Sequence, residues 1–187
     1  MVSTPPSRSG TEPAGRRRGA RWLPVLVLAL ALLTYGALFW LPSLFRRPAP
    51  SGTLRLARWE SGGWLEVEEG VPIPPRSRLR LTVVAEREAS VVILGLDAAR
   101  RATLLVPATG TPPRVGPGTT VVGETVLGAA TGPSLLLAEL CNTPLPTATV
   151  VKAGERAVAA APQAVEVETL DLGCPEARFR IVQQALP

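Results

Sequence analysis

The chain contains no histidine, and this absence excludes a large share of enzyme chemistry. Histidine is the commonest general base, the usual activator of a serine or cysteine nucleophile, and the commonest metal ligand. The sequence also lacks a phosphate-binding glycine loop, a dinucleotide-binding glycine motif and a nucleophile elbow. We therefore predict that the protein is not an enzyme and that it has no catalytic residue, no cofactor and no metal site.

Aromatic residues are scarce as well, since Phe, Trp and Tyr make up only 4% of the 187 residues. A hydrophobic core must therefore be built from Val, Leu, Ala and Ile. Twenty Pro and seventeen Gly indicate many turns and few long helices. The part of the chain that follows its one long apolar segment has about 135 residues, the usual size of one domain.

The net charge of +5 does not indicate a nucleic-acid partner, because of where the charge lies. Beyond residue 47, thirteen basic residues nearly balance fourteen acidic ones. A nucleic-acid binder carries its positive charge on the folded domain, beside aromatic side chains that stack on bases. The excess comes from seven arginines that flank one apolar segment: Arg8, Arg16, Arg17, Arg18, Arg21, Arg46 and Arg47.

That apolar segment, residues 23–41, reads LPVLVLALALLTYGALFWL and carries no charge over nineteen residues. At the helical rise of 1.5 Å per residue it extends about 28 Å, which matches the hydrocarbon core of a bilayer. Trp22 and Trp40 lie at its two ends, as interfacial aromatics do. We predict a transmembrane helix over residues 23–45. An uncleaved anchor is favoured over a cleaved signal peptide, whose apolar region is shorter and ends in small residues.

The arginine count predicts the orientation of this helix. Five arginines precede it and two follow it directly, so the positive-inside rule places the N-terminus in the cytoplasm. The sequence then predicts a disordered basic tail over residues 1–22, a linker over 46–52, and a β-rich extracytoplasmic domain over 53–187. The expected location is the inner membrane of a bacterium.

Beyond the linker, apolar residues alternate with polar ones or form short continuous runs, and both patterns indicate strands. Residues 71–75 and 107–118 hold many prolines and glycines and are predicted as loops, and residues 152–161 are predicted as a short helix. The fold expected is an antiparallel β-sandwich-like domain, or a partly open barrel, with a single α-helix near the C-terminus. The predicted strands are 54–59, 64–68, 79–83, 91–96, 102–106, 119–127 (at a sheet edge), 134–140, 163–170 and 178–183.

Few polar residues are candidates for chemistry. Glu66, Glu68 and Glu69 are a conceivable cation site or acid–base pair, although a solvated strand face is the favoured interpretation. Asp97 follows a buried strand, where a role as a turn former suffices. Two or more polar side chains that converge in one deep pocket would instead indicate an enzyme; the candidates for such convergence are Asp97, Glu66, Glu68, Asp171 and Lys152.

Cys141 and Cys174 are the only cysteines, too few to hold zinc by themselves. In an oxidising compartment, an even pair within one small domain predicts a disulfide. It would close a loop of about thirty residues and contribute about 2–4 kcal/mol to stability. The alternative is two buried free thiols, because each cysteine lies at the end of an apolar run.

Four segments together, spread over residues 65–185, resemble the bacterial envelope domains grouped as domain of unknown function family 4384, in the form that follows a transmembrane anchor. In that form a glycine–proline segment runs into a strand that ends in cysteine, and a second cysteine precedes the last strand. The segments are VVILGLDAARRATLLVP at 91–107, TVL at 125–127, GPSLLLAELCNTPL at 132–145 and LGC at 172–174.

The chain departs from the family pattern at Ser134, where an acidic residue is usual, and at Arg100, where glycine is frequent. The family has no assigned catalytic residues, so the resemblance transfers none. It implies an accessory module of envelope or signalling proteins. We therefore predict a single-pass, non-enzymatic envelope module that binds a protein or peptide partner. The alternative is a membrane signalling component, in a sigma-factor or kinase pathway, whose short tail acts through a cytoplasmic partner.

Overall fold

The structure is a computed structural model that describes residues 25–32, 34–35 and 48–184. The chain divides into two compact units, Met1–Arg46 and Arg47–Pro187. In the first unit, the described residues are helical.

No helix within the described ranges is long and apolar enough to cross a membrane. The predicted tail lies entirely outside those ranges, and the predicted span over residues 23–45 lies largely outside them. The transmembrane helix and its orientation therefore stay predictions.

The second unit is mainly β, as the alternating pattern predicts. One α-helix, α1 (Thr147–Ala160), follows the ninth strand, and a 3₁₀ turn at Ala164–Glu166 comes next. The strands of the described part are β1 (Gly52–Glu60), β2 (Gly63–Val67), β3 (Pro72–Ile73), β4 (Arg78–Ala85), β5 (Ala89–Leu96), β6 (Ala102–Val106), β7 (Arg114–Val115), β8 (Gly118–Val126), β9 (Gly132–Cys141) and β10 (Glu176–Gln183).

The strands form two sheets. The first has the order β2-β1-β4-β8, and the second has the order β3-β10-β9-β5-β6, with β7 paired to β5. The two-sheet, mainly β architecture with one C-terminal helix is confirmed. The prediction of purely antiparallel pairing is wrong at one place, because β3 pairs with β10 in parallel through two residues.

Strand burial follows from which faces are covered. In β4, Leu79, Leu81 and Val83 point into the core between the sheets, whereas Arg78 and Arg80 point outward. In contrast, β5 and β9 are almost continuously apolar because both of their faces are covered. One face packs in the core between the sheets, and the other packs against α1 and the chain that follows it.

The helix begins at Thr147, five residues earlier than the start predicted at Lys152. The β-branched residues at its start have weak helix propensity. However, Val150 is fully buried in the apolar cluster between α1 and the second sheet. Tertiary packing of this kind outweighs propensity.

Residues 163–170 do not form the predicted strand. Ala164, Val167 and Leu170 are buried at a spacing of three residues, which suits a 3₁₀ turn followed by irregular chain across the sheet. The two predicted loops also contain short pairings, β3 and β7, of two residues each.

Candidate functional site

The glutamates proposed from the sequence lie on or near the exposed surface of the first sheet. Glu66 Oε1 lies 3.8 Å from Arg55 Nη1, and both side chains are well exposed. Glu68 follows β2 and is exposed. Glu69 Oε1 accepts a hydrogen bond from the backbone N–H of Arg180 at 3.2 Å. These contacts give Glu66 and Glu69 a structural role on the surface.

The other candidates are separated from these. Asp97 forms the turn after β5, where its carboxylate accepts hydrogen bonds from the backbone and side chain of Arg101. Lys152 is exposed in the second turn of α1, because the helix begins five residues before it. Asp171 is exposed with φ +53° in the loop before β10. Among the five candidates for convergence, Asp97 alone lines the cavity between the sheets described below.

Cys141 and Cys174, the pair predicted to form a disulfide, lie at disulfide distance. Their sulfur atoms lie 2.07 Å apart and their Cα atoms 5.1 Å apart. The bond ties the end of β9 to the loop that precedes β10.

The outer surface of the first sheet carries an aromatic pair that the sequence reading did not single out. Trp59 and Trp64 lie directly opposite each other on β1 and β2, with ring centroids 5.2 Å apart in an edge-to-face arrangement. The guanidinium of Arg80 lies 4.0 Å from the ring centroid of Trp64, within cation–π range. Trp59 is 44% exposed. We call this surface the tryptophan–arginine face.

One carboxylate connects this face to the edge of the sheet. Glu124 on β8 accepts hydrogen bonds from Arg78 Nη2 at 2.6 Å and Arg80 Nη2 at 2.9 Å. The hydrogen bonds from Arg80 and then Arg78 hold the pKa of Glu124 below its usual value. The carboxylate therefore stays ionised and keeps both guanidinium groups beside Trp64.

Strand β8 is the edge of the first sheet, as predicted for residues 119–127, and it is the longest edge strand in the described part of the chain. One side pairs with β4, with a bulge at Val122 between Val121 and Gly123. No strand of the described residues pairs with its other side. On the outward face, Val121 is 55% and Val126 is 61% exposed.

A cavity of about 280 Å³ opens beside the end of β8. It lies between the two sheets, and Thr103 and Leu105 of β6 line it opposite Thr125 and Val126 of β8. Its walls are mainly apolar. The remaining lining residues are Leu79, Gly95, Leu96, Asp97, Arg101, Leu127, Gly128, Ala130, Ser134, Leu136, Ile181 and Gln183.

A buried acidic residue, Glu139 near the C-terminal end of β9, lies on the opposite face of the second sheet. It is fully buried, and neither carboxylate oxygen has a hydrogen-bond partner in the described structure. Burial, followed by the negative charge of Glu176 directly opposite on β10, raises the pKa of Glu139 to about 8. The sequence does carry a signal for it, an acid inside the apolar run LLLAELC, although the sequence reading did not use it.

Comparisons of this chain with protein-family models, with curated proteins and with solved structures give no match. The resemblance to domain of unknown function family 4384 therefore stays a prediction, and the argument for function depends on the residues themselves.

Proposed function

We propose that this protein is a membrane-anchored binding module that takes an extended peptide segment of a partner protein as an added strand along β8. The observation that carries the proposal is the coincidence of a nine-residue edge strand with a cavity at its end. The anchor is the apolar segment over residues 23–45, and the expected location is the bacterial inner membrane with the β domain outside the cytoplasm.

The backbone of β8 supplies the affinity in this proposal. An edge strand leaves a row of N–H and C=O groups without partners in the sheet, and an added strand satisfies them. Strand β6 approaches β8 at Gly123, where an added Cβ would lie 3.1 Å from Val106 Cγ2 on the inward face of the sheet. No strand of the described residues pairs with the outer edge of β8.

The side chains around β8 supply the selectivity. Successive residues of an added strand point alternately to the two faces of the sheet. Those that point outward would meet Val121, Val126 and Glu124, whose carboxylate holds Arg78 and Arg80. Those that point inward near Val126 would enter the apolar cavity, which suits an aliphatic or aromatic side chain.

Peptide selection followed by hydrogen exchange tests the strand addition. Short random peptides are selected on the full chain in detergent and then measured on Val121→Lys and Val126→Lys. Lysine at these exposed positions leaves the fold intact and disfavours an added strand. We expect each variant to weaken binding about tenfold or more. Val71→Lys is the matched control, since Val71 is exposed outside this edge.

The bound peptide should slow amide exchange within residues 118–126. Protection confined to another strand, or equal binding by all three lysine variants, would contradict strand addition even if the peptide binds tightly.

A separate experiment tests the anchor and the orientation. Alkaline phosphatase fused after Pro187 should be active, and the same fusion after Arg21 should be inactive, because the enzyme requires the oxidising side of the membrane for its disulfides. The opposite pattern would overturn the proposed location and leave the peptide-binding experiment unaffected.

A further inference from the structure

Three polar atoms without hydrogen-bond partners lie on the same face of the second sheet as Cys141. They are Ser90 Oγ and the two carboxylate oxygens of Glu139, and all three are buried. Ser90 is directly opposite Cys141 across the β5–β9 pair, so the two side chains share a face. Glu139 lies two residues before Cys141 on the same face of β9. A carboxylate oxygen of Glu139 lies within 4.8 Å of both sulfur atoms.

Unpartnered buried polar groups are costly and require an explanation. A disulfide sulfur is a poor hydrogen-bond acceptor, whereas a thiolate sulfur is a good one. Both a carboxylic acid and a hydroxyl can donate to a thiolate. The groups left unsatisfied beside the closed disulfide are therefore those that would stabilise Cys141 once the disulfide opens.

The two sulfurs differ in access. Cys141 is only 3% exposed, whereas Cys174 is partly exposed in the loop before β10. That loop includes Asp171 and Gly173, both with positive φ. An attacking thiolate reaches the more accessible sulfur, so attack falls on Cys174 and the buried sulfur of Cys141 is the leaving group. A buried thiolate is unfavourable unless a proton or donors compensate for its charge.

The charges around Glu139 favour its protonated form. Glu176 faces it from β10, where its Oε1 accepts hydrogen bonds from Thr169 Oγ1 at 2.8 Å and the Leu170 N–H at 2.6 Å, and its negative charge raises the pKa of Glu139 further, after the larger effect of burial. Arg178 donates to the other oxygen of Glu176 at 3.1 Å. From β5 only the neutral Ser90 and Val92 face this region. Glu139 therefore holds a proton at neutral pH, and one of its carboxylate oxygens lies within 4.8 Å of Cys141 Sγ.

We propose that the Cys141–Cys174 disulfide is a thiol–disulfide exchange site for cysteine thiols of a partner protein, with Glu139 as the proton donor to Cys141. A substrate thiolate attacks Cys174 Sγ and forms a mixed disulfide with it. The Cys141–Cys174 bond breaks, its electron pair goes to Cys141 Sγ, and this sulfur takes the proton of Glu139. A second substrate thiolate then attacks the substrate sulfur of the mixed disulfide and releases Cys174 as a thiolate. Two substrate thiols are oxidised to a disulfide, and the Cys141–Cys174 pair is reduced by two electrons.

Trapping the mixed disulfide tests which sulfur is attacked. The oxidised full chain in detergent is mixed with reduced glutathione, quenched with acid and digested with trypsin, which places the two cysteines in separate peptides. Glutathione should be found on the Cys174 peptide in at least about tenfold excess over the Cys141 peptide. Label mainly on Cys141, or no reaction unless the protein is unfolded, would overturn the proposal.

The variant Glu139→Gln tests the proton donor. It should slow exchange with glutathione about tenfold at neutral pH, while the difference from the wild type shrinks as pH rises above about 8, where Glu139 itself loses its proton. Glu168→Gln is the matched control, because Glu168 is exposed in the segment after α1 that covers this face of the second sheet. Equal rates for Glu139→Gln and the wild type at every pH would refute the role of Glu139. A urea titration of each variant shows that folding is retained.

Discussion

Replacing Glu139 by glutamine should change the free energy of unfolding, relative to the wild type, by an amount that becomes more favourable as pH rises. Glutamine has nearly the shape of a protonated glutamic acid and carries no charge at any pH. In the wild type, the folded state holds a proton on Glu139 up to about pH 8, whereas the unfolded state releases it above its ordinary pKa of 4.5. Between these two values the unfolded state binds one proton fewer, so the free energy of unfolding falls as pH rises.

The slope in this window is about 1.4 kcal/mol per pH unit for a single proton. At pH 7 the raised pKa therefore costs the wild type about 3 kcal/mol of stability. This cost is absent below pH 4.5, the pKa of Glu139 in the unfolded chain. It stops increasing above about pH 8, the pKa of Glu139 in the folded protein. A buried glutamine amide that lacks a partner adds a constant penalty of about 1–3 kcal/mol, which does not vary with pH. The pH dependence of the difference between the two proteins is thus the quantity that reports on Glu139.

Urea unfolding of the full chain in mild detergent, with the disulfide intact, measures that difference. Titrations of wild type and Glu139→Gln from about pH 5 to about pH 9 give two stability curves, in which every other titrating group cancels. Their difference should rise by about 1.4 kcal/mol per pH unit and level off near pH 8. A difference that stays constant over this range would show that Glu139 ionises at an ordinary pKa, and would refute the reasoning from burial.

Three further predictions concern packing and cross-linking of the same domain, and each is measured by urea unfolding. Arg100→Ala removes hydrogen bonds to three carbonyl oxygens at the end of α1 and should lower the free energy of unfolding by about 2 kcal/mol. Arg100→Lys should lower it by an intermediate amount, and a loss below about 0.5 kcal/mol for Arg100→Ala would contradict this capping role. Gly154→Ala places a Cβ 2.2 Å from Leu94 Cδ2 and should destabilise by about 1–3 kcal/mol despite the better helix propensity of alanine, so a gain in stability would contradict the close approach. The double variant Cys141→Ser with Cys174→Ser opens a loop with a sequence separation of 33 residues and should cost about 3 kcal/mol, and an unchanged midpoint would contradict it.

Local patterns predicted the strands because burial on one face of a sheet imposes a period of two. The alternation in β4 and the apolar runs of β5 and β9 are examples, and their covering on one or two faces follows directly. The tryptophan pair was also within reach of the sequence. The turn consists of Ser61 and Gly62, both with positive φ, and a two-residue turn places Trp59 opposite Trp64.

The environment of Glu139 had no comparable local signal. An acid in an apolar run is exposed or buried according to what covers that face, and here the cover comes from α1 and the residues after it. That segment packs through Ala164, Val167 and Leu170. The alternation of apolar and polar residues around them predicts a strand instead. Contacts between distant parts of the chain decide such a case, and propensity does not report them.

The position of β10 has a consequence for how the protein is made. This strand is among the last described residues, yet it lies between β3 and β9 inside the second sheet. During synthesis, β5 and β9 leave the ribosome first, so their apolar faces have no complete sheet to join until residues 176–183 follow. Folding of this domain is therefore delayed until nearly the whole of it has emerged, and two of its most aggregation-prone strands must be kept apart from other chains for that interval.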